Sequence, residues 1–222
     1  MKLFKKSAKE IMNPIDYLHE RFHADDTYTI AEKQIANVSN ATCRNFDDNN
    51  NCTLVALSNI TAHYATNPDL SEASSETAES NVLSNDVAER YKLVREFAVK
   101  VGYDGEHGIP VFKNRRFAKL FCKAVFKGSS VKAKCHYFIS RKRAMRAIDA
   151  NRPFLLSLAS GYYFDHTVAV YGYANYTNDR TGKTYTFLML KDSWRDSCRY
   201  LAWKNTGAMH ITCMTELIVE NS

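Results

Sequence analysis

The chain has 222 residues, of which 45% are hydrophobic and 24% charged, and a formal net charge of +6. This length and composition predict one globular unit with a sizeable core. No run approaches the roughly eighteen consecutive apolar residues of a membrane span, and the N-terminus lacks the apolar core of a secretory signal. We therefore expect no membrane span and a cytoplasmic protein, with non-classical export or delivery into another cell as open alternatives.

The cysteines predict neither a disulfide framework nor a metal site. Six cysteines are too sparse for a disulfide scaffold in a chain of this length. None belongs to a Cys-x-x-Cys pair, and no group of Cys and His has zinc-site spacing. We therefore expect mostly reduced thiols, no bound metal and no cofactor.

Charge is distributed unevenly along the chain. Lys113 to Arg146 is rich in Lys and Arg and contains no Asp or Glu, whereas Asp69 to Asp86 is acidic and contains no Lys or Arg. We expect the basic stretch to be a solvated face partly balanced by the acidic segment, in preference to a nucleic-acid-binding surface. An acidic partner for the basic stretch 113–146 stays open.

The first half of the chain is predicted to be helical. Residues 1–40 form an N-terminal arm of unknown role, in which a short amphipathic helix fits Ile15 to Phe22. The acidic segment is predicted to be an exposed loop. Apolar residues recur with helical spacing in three later segments, namely from Cys52, with Asn49 to Asn51 as caps, to a stop at Asn67-Pro68, from Val87 to Val101, and from Arg116 to Phe126.

The second half is predicted to be mainly β-structure. Alternation of apolar and polar residues over 131–137 predicts a strand, and Ser140 to Asp149 fits a short basic helix. Five β-prone runs follow, at Phe154–Leu158, His166–Tyr173, Tyr185–Leu190, Tyr200–Trp203 and His210–Val219. Segregated helices and strands predict an α+β fold. We expect a single domain over 41–222, with a helical lobe at about 41–128 and an antiparallel β lobe at about 129–222.

Cys52 stands where a thiol can become a nucleophile. A helix N-terminus and a neighbouring imidazolium both lower the pKa of a thiol. His166 begins a predicted strand after a loop rich in glycine and aromatic residues, so its ring is expected at one end of the sheet. Asp192 ends the next predicted strand and would fix the imidazole tautomer. Cys52, His166 and Asp192 are therefore the predicted catalytic triad.

Several of these roles have alternatives. Asp165 and Asp196 compete with Asp192 as the group that orients the imidazole, and Asp165 is disfavoured because neighbouring strand residues point to opposite faces. Trp194 either shields the contact between the histidine and the aspartate from water or packs in the core. A cysteine in an apolar helix is commonly a small core residue, and we keep that interpretation for Cys122.

Three segments together resemble the papain-like cysteine peptidases, nearest to the bacterial double-glycine-leader (bacteriocin-processing) peptidases. They are Asn-Cys-Thr-Leu-Val-Ala-Leu at 51–57, His-Thr-Val-Ala-Val-Tyr-Gly-Tyr at 166–173 and Lys-Asp-Ser-Trp at 191–194. The order of Cys, His and Asp agrees with that family, and the resemblance spans Cys52 to Trp194. It implies a papain-like fold, with the nucleophile at the start of a helix.

The residues before Cys52 depart from the family's pattern. The family usually places a glutamine about six residues before the cysteine, where its amide helps to bind the oxyanion, and this chain has Phe46 there. Asn45 is the nearest amide. We predict Asn45 as an oxyanion donor beside the backbone N–H of Cys52.

The resemblance implies hydrolysis of a peptide or isopeptide bond in a protein or peptide substrate, through a thioester on Cys52. Acyl transfer or deamidation of the transglutaminase kind is the alternative chemistry. A further alternative is a catalytically inactive papain-like binding module, in which the basic stretch contacts an acidic partner or nucleic acid.

Overall fold

The computed structural model describes residues 10–66, 83–127, 129–159, 161–203 and 212–221. In these ranges, helices pack against one seven-stranded antiparallel sheet, and no helix has the length and apolar character needed to span a bilayer. The helices are α1 (Pro14–Phe22), α2 (Cys52–Ala65), α3 (Val87–Val99), α4 (Asn114–Val125) and α5 (Arg141–Asp149). The strands are β1 (Tyr28–Gln34), β2 (Ser129–Tyr137), β3 (Phe154–Leu158), β4 (His166–Asn178), β5 (Thr184–Lys191), β6 (Arg199–Ala202) and β7 (Thr212–Asn221).

The predicted α+β class is confirmed, and the helix bounds agree to within about two residues, the ordinary uncertainty of helix ends. Most described strand ends lie within two residues of their predicted positions, and the end of β4 differs more. β4 continues beyond Tyr173 to Asn178. The predicted start of the last strand at His210 lies outside the described residues, and β7 is described from Thr212.

The expected asparagine cap of α2 is not formed. Asn51 occupies the N-cap position but makes no side-chain capping hydrogen bond. Its amide nitrogen lies 3.3 Å from the backbone oxygen of Cys43 and 3.2 Å from the hydroxyl of Tyr91, and it donates to both. This side chain therefore accepts no hydrogen bond from the first N–H groups of α2. Cys52 is the first residue of the helix.

The strand order is β2-β7-β3-β4-β5-β6, and β1 pairs with β4. β3 pairs with the first part of β4 and β1 with the second part, from Gly172 to Asn178. A Cβ atom at Gly172 would lie 2.7 Å from the backbone oxygen of Lys33 in β1. A larger residue there would force the two strands apart, which explains why a glycine interrupts this strand.

Part of the predicted N-terminal arm belongs to the folded core. α1 buries Leu18 in a cluster with Phe187 of β5 and Ala202 of β6, and β1 adds a strand to the sheet. The sheet therefore includes residues from before position 41, in contrast to the predicted β lobe at 129–222. Most side chains of β1 are exposed. The sequence of this strand therefore lacks the alternation of apolar and polar residues that marks a half-buried strand, and β1 is joined to β4 through its backbone.

Helices cover both faces of the sheet. Leu155 of β3 joins the core formed with α2, α3 and α4, whereas Phe154, Leu156 and Leu158 join the core formed with α5. Alternate residues of a strand face opposite sides, so β3 is buried on both. In α2, every residue from Thr53 to Tyr64 is buried. The backbone at Cys52 is therefore held by packing around the whole helix.

The basic stretch 113–146 covers α4, β2 and α5. One of its charges is paired by β7, since Nζ of Lys132 lies 3.8 Å from the carboxylate of Glu220. The acidic segment that was predicted to balance this stretch lies, over residues 69–82, outside the described residues.

Candidate active site

A cavity of about 440 Å³ lies where the N-terminus of α2 meets the end of β3 and the start of β4. Cys52 and His166 both line it, so the fold brings together the predicted nucleophile and base. Most of the remaining lining comes from three short segments, residues 107–111, 157–159 and 165–167. Its volume is within the range of about 300–1,000 Å³ that is usual for ligand sites.

The pKa of the Cys52 thiol is lowered from its ordinary value. Burial raises this pKa, but the hydrogen bond with His166 and the charge of the imidazole lower it. The backbone N–H of Thr167 and the side chain of Thr53 also hydrogen-bond the sulfur and lower the pKa further. The net effect raises the fraction of Cys52 present as thiolate, which is the reactive form of a cysteine.

His166 is buried at the first position of β4. Its Nε2 atom lies 2.5 Å from the backbone oxygen of Asp192. A carbonyl oxygen can only accept a hydrogen bond, so Nε2 carries a proton. This leaves Nδ1 for the hydrogen bond with Cys52, and the ring is held with one nitrogen toward each partner.

Asp192 meets His166 through its backbone and not through its carboxylate. Its side chain is fully buried, and Oδ1 accepts hydrogen bonds from the backbone N–H groups of Trp194 at 2.9 Å and Arg195 at 3.0 Å. Oδ2 lies 3.4 Å from the hydroxyl of Tyr163, which donates to it. The sequence predicted that this aspartate orients the imidazole, but the carboxylate instead stabilises the turn after β5, as Asp side chains often do.

Two aromatic rings flank the imidazole. The Tyr163 ring is stacked on His166 with centroids 6.1 Å apart, and the Trp194 ring lies closer, with centroids 4.3 Å apart and planes inclined by 31°. Trp194 is 37% exposed, so it lies between the imidazole and solvent rather than deep in the core. Tyr163 also donates to the carboxylate of Asp192 and thereby links the turn to the ring.

The other predicted residues line two different cavities. Asp165 lines the Cys52 cavity, with an exposed side chain and a φ angle of 51°. Asp196 and Asn45 line a different cavity of about 350 Å³, together with Trp194. Among the described contacts, none of these three side chains hydrogen-bonds His166. The Oδ1 atom of Asn45 accepts from the backbone N–H of Thr42 at 2.6 Å.

Most of the side chains near the predicted oxyanion position are engaged elsewhere. Phe46, at the position of the family's glutamine, stacks on Tyr91 with centroids 3.6 Å apart. The amide of Asn50 donates to the backbone oxygen of Glu106 at 2.5 Å, and that of Asn51 is used as described above. The backbone N–H of Cys52 lies at the N-terminus of α2, where the first N–H groups of a helix have no partner within the helix.

The loop at residues 107–111 forms one wall of the cavity and was missed by sequence reasoning. The hydrogen bond from Asn50 to Glu106 ties this loop to the start of α2. His107 at its edge hydrogen-bonds the carboxylate of Asp104, with 2.9 Å between Nδ1 and Oδ2, and this partner raises the pKa of His107. The loop has no hydrophobic periodicity, so no pattern indicated its place. Tyr163 lay within the aromatic run before His166, which was a usable signal.

The other cysteines differ from Cys52. All six cysteines are free thiols. Burial raises the pKa of Cys43 to about 12, with further contributions from the charges of Cys52 and Asp192. Burial likewise raises the pKa of Cys122 and that of Cys213. Among the residues that the structure describes, no group of three His, Cys, Asp or Glu side chains is arranged to hold a metal ion.

Comparison with known proteins found likeness at the level of structure and not of sequence. No protein-family model matches the chain, and no curated protein matches it in sequence. Among solved structures, the fold is similar to a crystal structure described as that of a C39-like peptidase from Bacillus anthracis. The match has 11% sequence identity and a TM-score of 0.43, and covers 84% of this chain and 97% of that chain. The function of the chain is therefore inferred from its own residues.

Proposed function

We propose that the protein is a cysteine peptidase that hydrolyses a peptide or isopeptide bond. The observation that supports this most strongly is the lowered pKa of Cys52 at the first residue of α2, caused by its hydrogen bond with His166 inside a cavity of substrate size. Structural cysteines in an apolar interior have raised pKa values, as Cys43 does. A lowered pKa in a cleft is typical of a nucleophile.

The reaction follows from the two nitrogens of the imidazole. The Cys52 thiolate attacks the carbonyl carbon, and Nδ1 of His166 gives its proton to the leaving amine as the carbon–nitrogen bond breaks. The acyl group then remains on sulfur as a thioester. Water attacks the thioester, His166 takes its proton, and the acid product leaves with the thiolate restored. Throughout, the proton stays on Nε2 and is donated in a hydrogen bond to the backbone oxygen of Asp192, which keeps the ring oriented.

The negative oxygen of each tetrahedral intermediate needs donors. The backbone N–H of Cys52 is the first donor in this proposal, because the first N–H groups of a helix have no partner within the helix. Asn45 stays a prediction for the second donor. Loss of a single oxyanion donor lowers turnover by about 10²–10³-fold, so Asn45→Ala tests this role. A change of less than about threefold would restrict Asn45 to stabilising the turn at Thr42.

A substrate screen by mass spectrometry tests the proposal. Wild type and Cys52→Ala are each incubated with a proteome-derived peptide mixture, with Cys43→Ser as the matched control because that neighbouring thiol has a raised pKa. Hydrolysis yields new carboxyl termini that Cys52→Ala does not produce and Cys43→Ser still does. Cross-links or glutamine-to-glutamate conversions would show acyl transfer or deamidation instead. Identical products from wild type and Cys52→Ala would refute a role for this thiol.

A further inference from the structure

We propose that a second cavity binds an acidic peptide segment by enclosing one large apolar side chain of that segment. The cavity measures about 180 Å³ and lies between α1, the first residue of α5 and the paired strands β5 and β6. We call it the basic-aromatic cavity, after the Arg, Lys, Phe, Tyr and Trp side chains that line it. It shares no lining residue with the Cys52 cavity, so this proposal does not depend on the peptidase proposal.

Three cationic side chains meet at the basic-aromatic cavity from separate parts of the chain. Arg21 comes from the last turn of α1, Arg141 begins α5, and Lys183 precedes β5. Among the described residues that line the cavity, none is Asp or Glu. Arg141 belongs to the basic stretch for which the sequence left an acidic partner open. Charge complementarity therefore favours a ligand that carries carboxylates.

Two of these cations are held by aromatic rings. The Arg21 guanidinium carbon lies 5.8 Å from the ring centroid of Phe22, and its Nη1 donates to the hydroxyl of Tyr17 at 3.0 Å. The Nζ atom of Lys183 lies 5.8 Å from the same Phe22 centroid and 5.2 Å from that of Tyr185. A ring orients a cation without neutralising it, so both charges remain available to carboxylates.

The floor of the cavity is apolar. Leu18, Phe187 and Ala202 line it and belong to one buried cluster. Phe22, between the two cations, is 40% exposed, and its ring centroid lies 5.1 Å from that of Tyr185. Exposed aromatic and arginine side chains around a pocket are the residues that dominate binding energy in protein interfaces.

The size of the cavity decides the class of ligand. Its 180 Å³ is below the range of about 300–1,000 Å³ for a whole small-molecule ligand, and a nucleotide with base, sugar and phosphate needs more room than one side chain. A single Phe, Leu or Trp side chain fits such a volume, with flanking carboxylates at the three cations. An acidic peptide with one apolar anchor is therefore favoured over nucleic acid.

Peptide selection against the full chain tests this proposal. A phage-displayed library of random linear peptides is selected on wild type, and the enriched peptides are synthesised with a fluorescein label for anisotropy titrations. The test variant is Arg21→Gln/Lys183→Gln. Its matched control is Lys92→Gln/Lys100→Gln, which removes two exposed positive charges, one from α3 and one from its C-cap position. Arg141→Gln alone replaces the test variant if thermal melting shows that the double variant is unfolded.

We expect peptides with Asp or Glu on both sides of a Phe, Leu or Trp. Their Kd should rise at least tenfold in the test variant, stay within twofold in the control variant, and rise between 50 and 300 mM NaCl because the contact is partly ionic. Failure to enrich any peptide overturns the proposal, as does equal affinity for wild type and test variant. Stronger binding of a fluorescein-labelled thymidine 12-mer, with the same dependence on Arg21 and Lys183, would assign the cavity to nucleic acid instead.

Discussion

The contact between Asp192 and His166 predicts that Asp192→Asn keeps Cys52 reactive. The imidazole is held by the backbone oxygen of residue 192, which the substitution does not remove. In a triad that relies on a carboxylate, the same change lowers the rate by about 10⁴-fold, because the wrong imidazole tautomer is stabilised. Here we expect the rate of Cys52 alkylation by iodoacetamide at pH 7 to fall by less than about tenfold.

The cost in stability can be worked from the turn. The Asp192 carboxylate accepts two backbone hydrogen bonds, from Trp194 and Arg195. Hydrogen bonds to a charged group contribute about 1.5–3 kcal/mol each, and neutral ones about 0.5–1.5 kcal/mol. An asparagine oxygen can accept both, so Asp192→Asn should lower the free energy of unfolding by about 2–3 kcal/mol or less, since a neutral amide is easier to bury. Asp192→Ala loses both bonds, about 3–6 kcal/mol.

The assay is alkylation with iodoacetamide, followed by peptide mass mapping of Cys52, alongside urea unfolding of each variant. Asp196→Asn is the matched control, because it removes a nearby negative charge from an exposed side chain. A fall in the Cys52 alkylation rate of about 10³-fold or more in Asp192→Asn, with the fold intact, would show that the carboxylate itself holds the imidazole. The contact with the backbone oxygen of residue 192 would then not be what orients the imidazole.

Three further perturbations test other features. In wild type, the alkylation rate of Cys52 should stay high below the ordinary thiol pKa of about 8.5 and fall only as the pH drops through the lowered pKa of Cys52. His166→Ala should raise the pH at which the rate is half-maximal and slow alkylation about tenfold or more at pH 7. An unchanged pH profile would refute the pairing of Cys52 with His166. Arg90→Met removes a buried guanidinium that donates to three backbone oxygens and one hydroxyl, and should lower the free energy of unfolding in urea by about 3–5 kcal/mol. Arg95→Met, at a half-exposed ion pair, should lower it by about 0–1 kcal/mol. Equal losses of stability in the two variants would refute this difference between the buried and the exposed arginine. Gly172→Ala should push β1 away from β4 and make residues 10–40 more sensitive to limited trypsin digestion. An unchanged digestion pattern would show that the strands can absorb the added methyl group.

Elements with apolar periodicity could be predicted from the sequence. The helix that begins at Cys52 and the strand that begins at His166 bury large apolar surfaces. The spacing of their apolar residues therefore predicts both elements and places Cys52 and His166 at their first positions. β1 could not be predicted in this way, because most of its side chains are exposed and its pairing with β4 uses backbone groups that every residue has.

Contacts made by the backbone also explain what was missed in the site. The sequence indicates that Asp192 lies near His166, but it does not distinguish a carboxylate contact from a carbonyl contact, since both come from one residue. The φ angle of 64° at Ser193 and the hydrogen bonds of the turn decide between them. For Asn45, the role of oxyanion donor stays a prediction, and the structure adds that its Oδ1 accepts a hydrogen bond from Thr42 in the 3₁₀ turn at Cys43–Asn45.

The place of β7 in the sheet connects folding to the order of synthesis. β7 follows all the other described strands in sequence, yet it lies between β2 and β3. A nascent chain therefore presents β2 and β3 as open edges until residues 212–221 have left the ribosome, and open edges recruit chaperones or other chains. The end of β3 also lines the Cys52 cavity, so that wall becomes fully supported only after the nucleophile and the histidine have both been made.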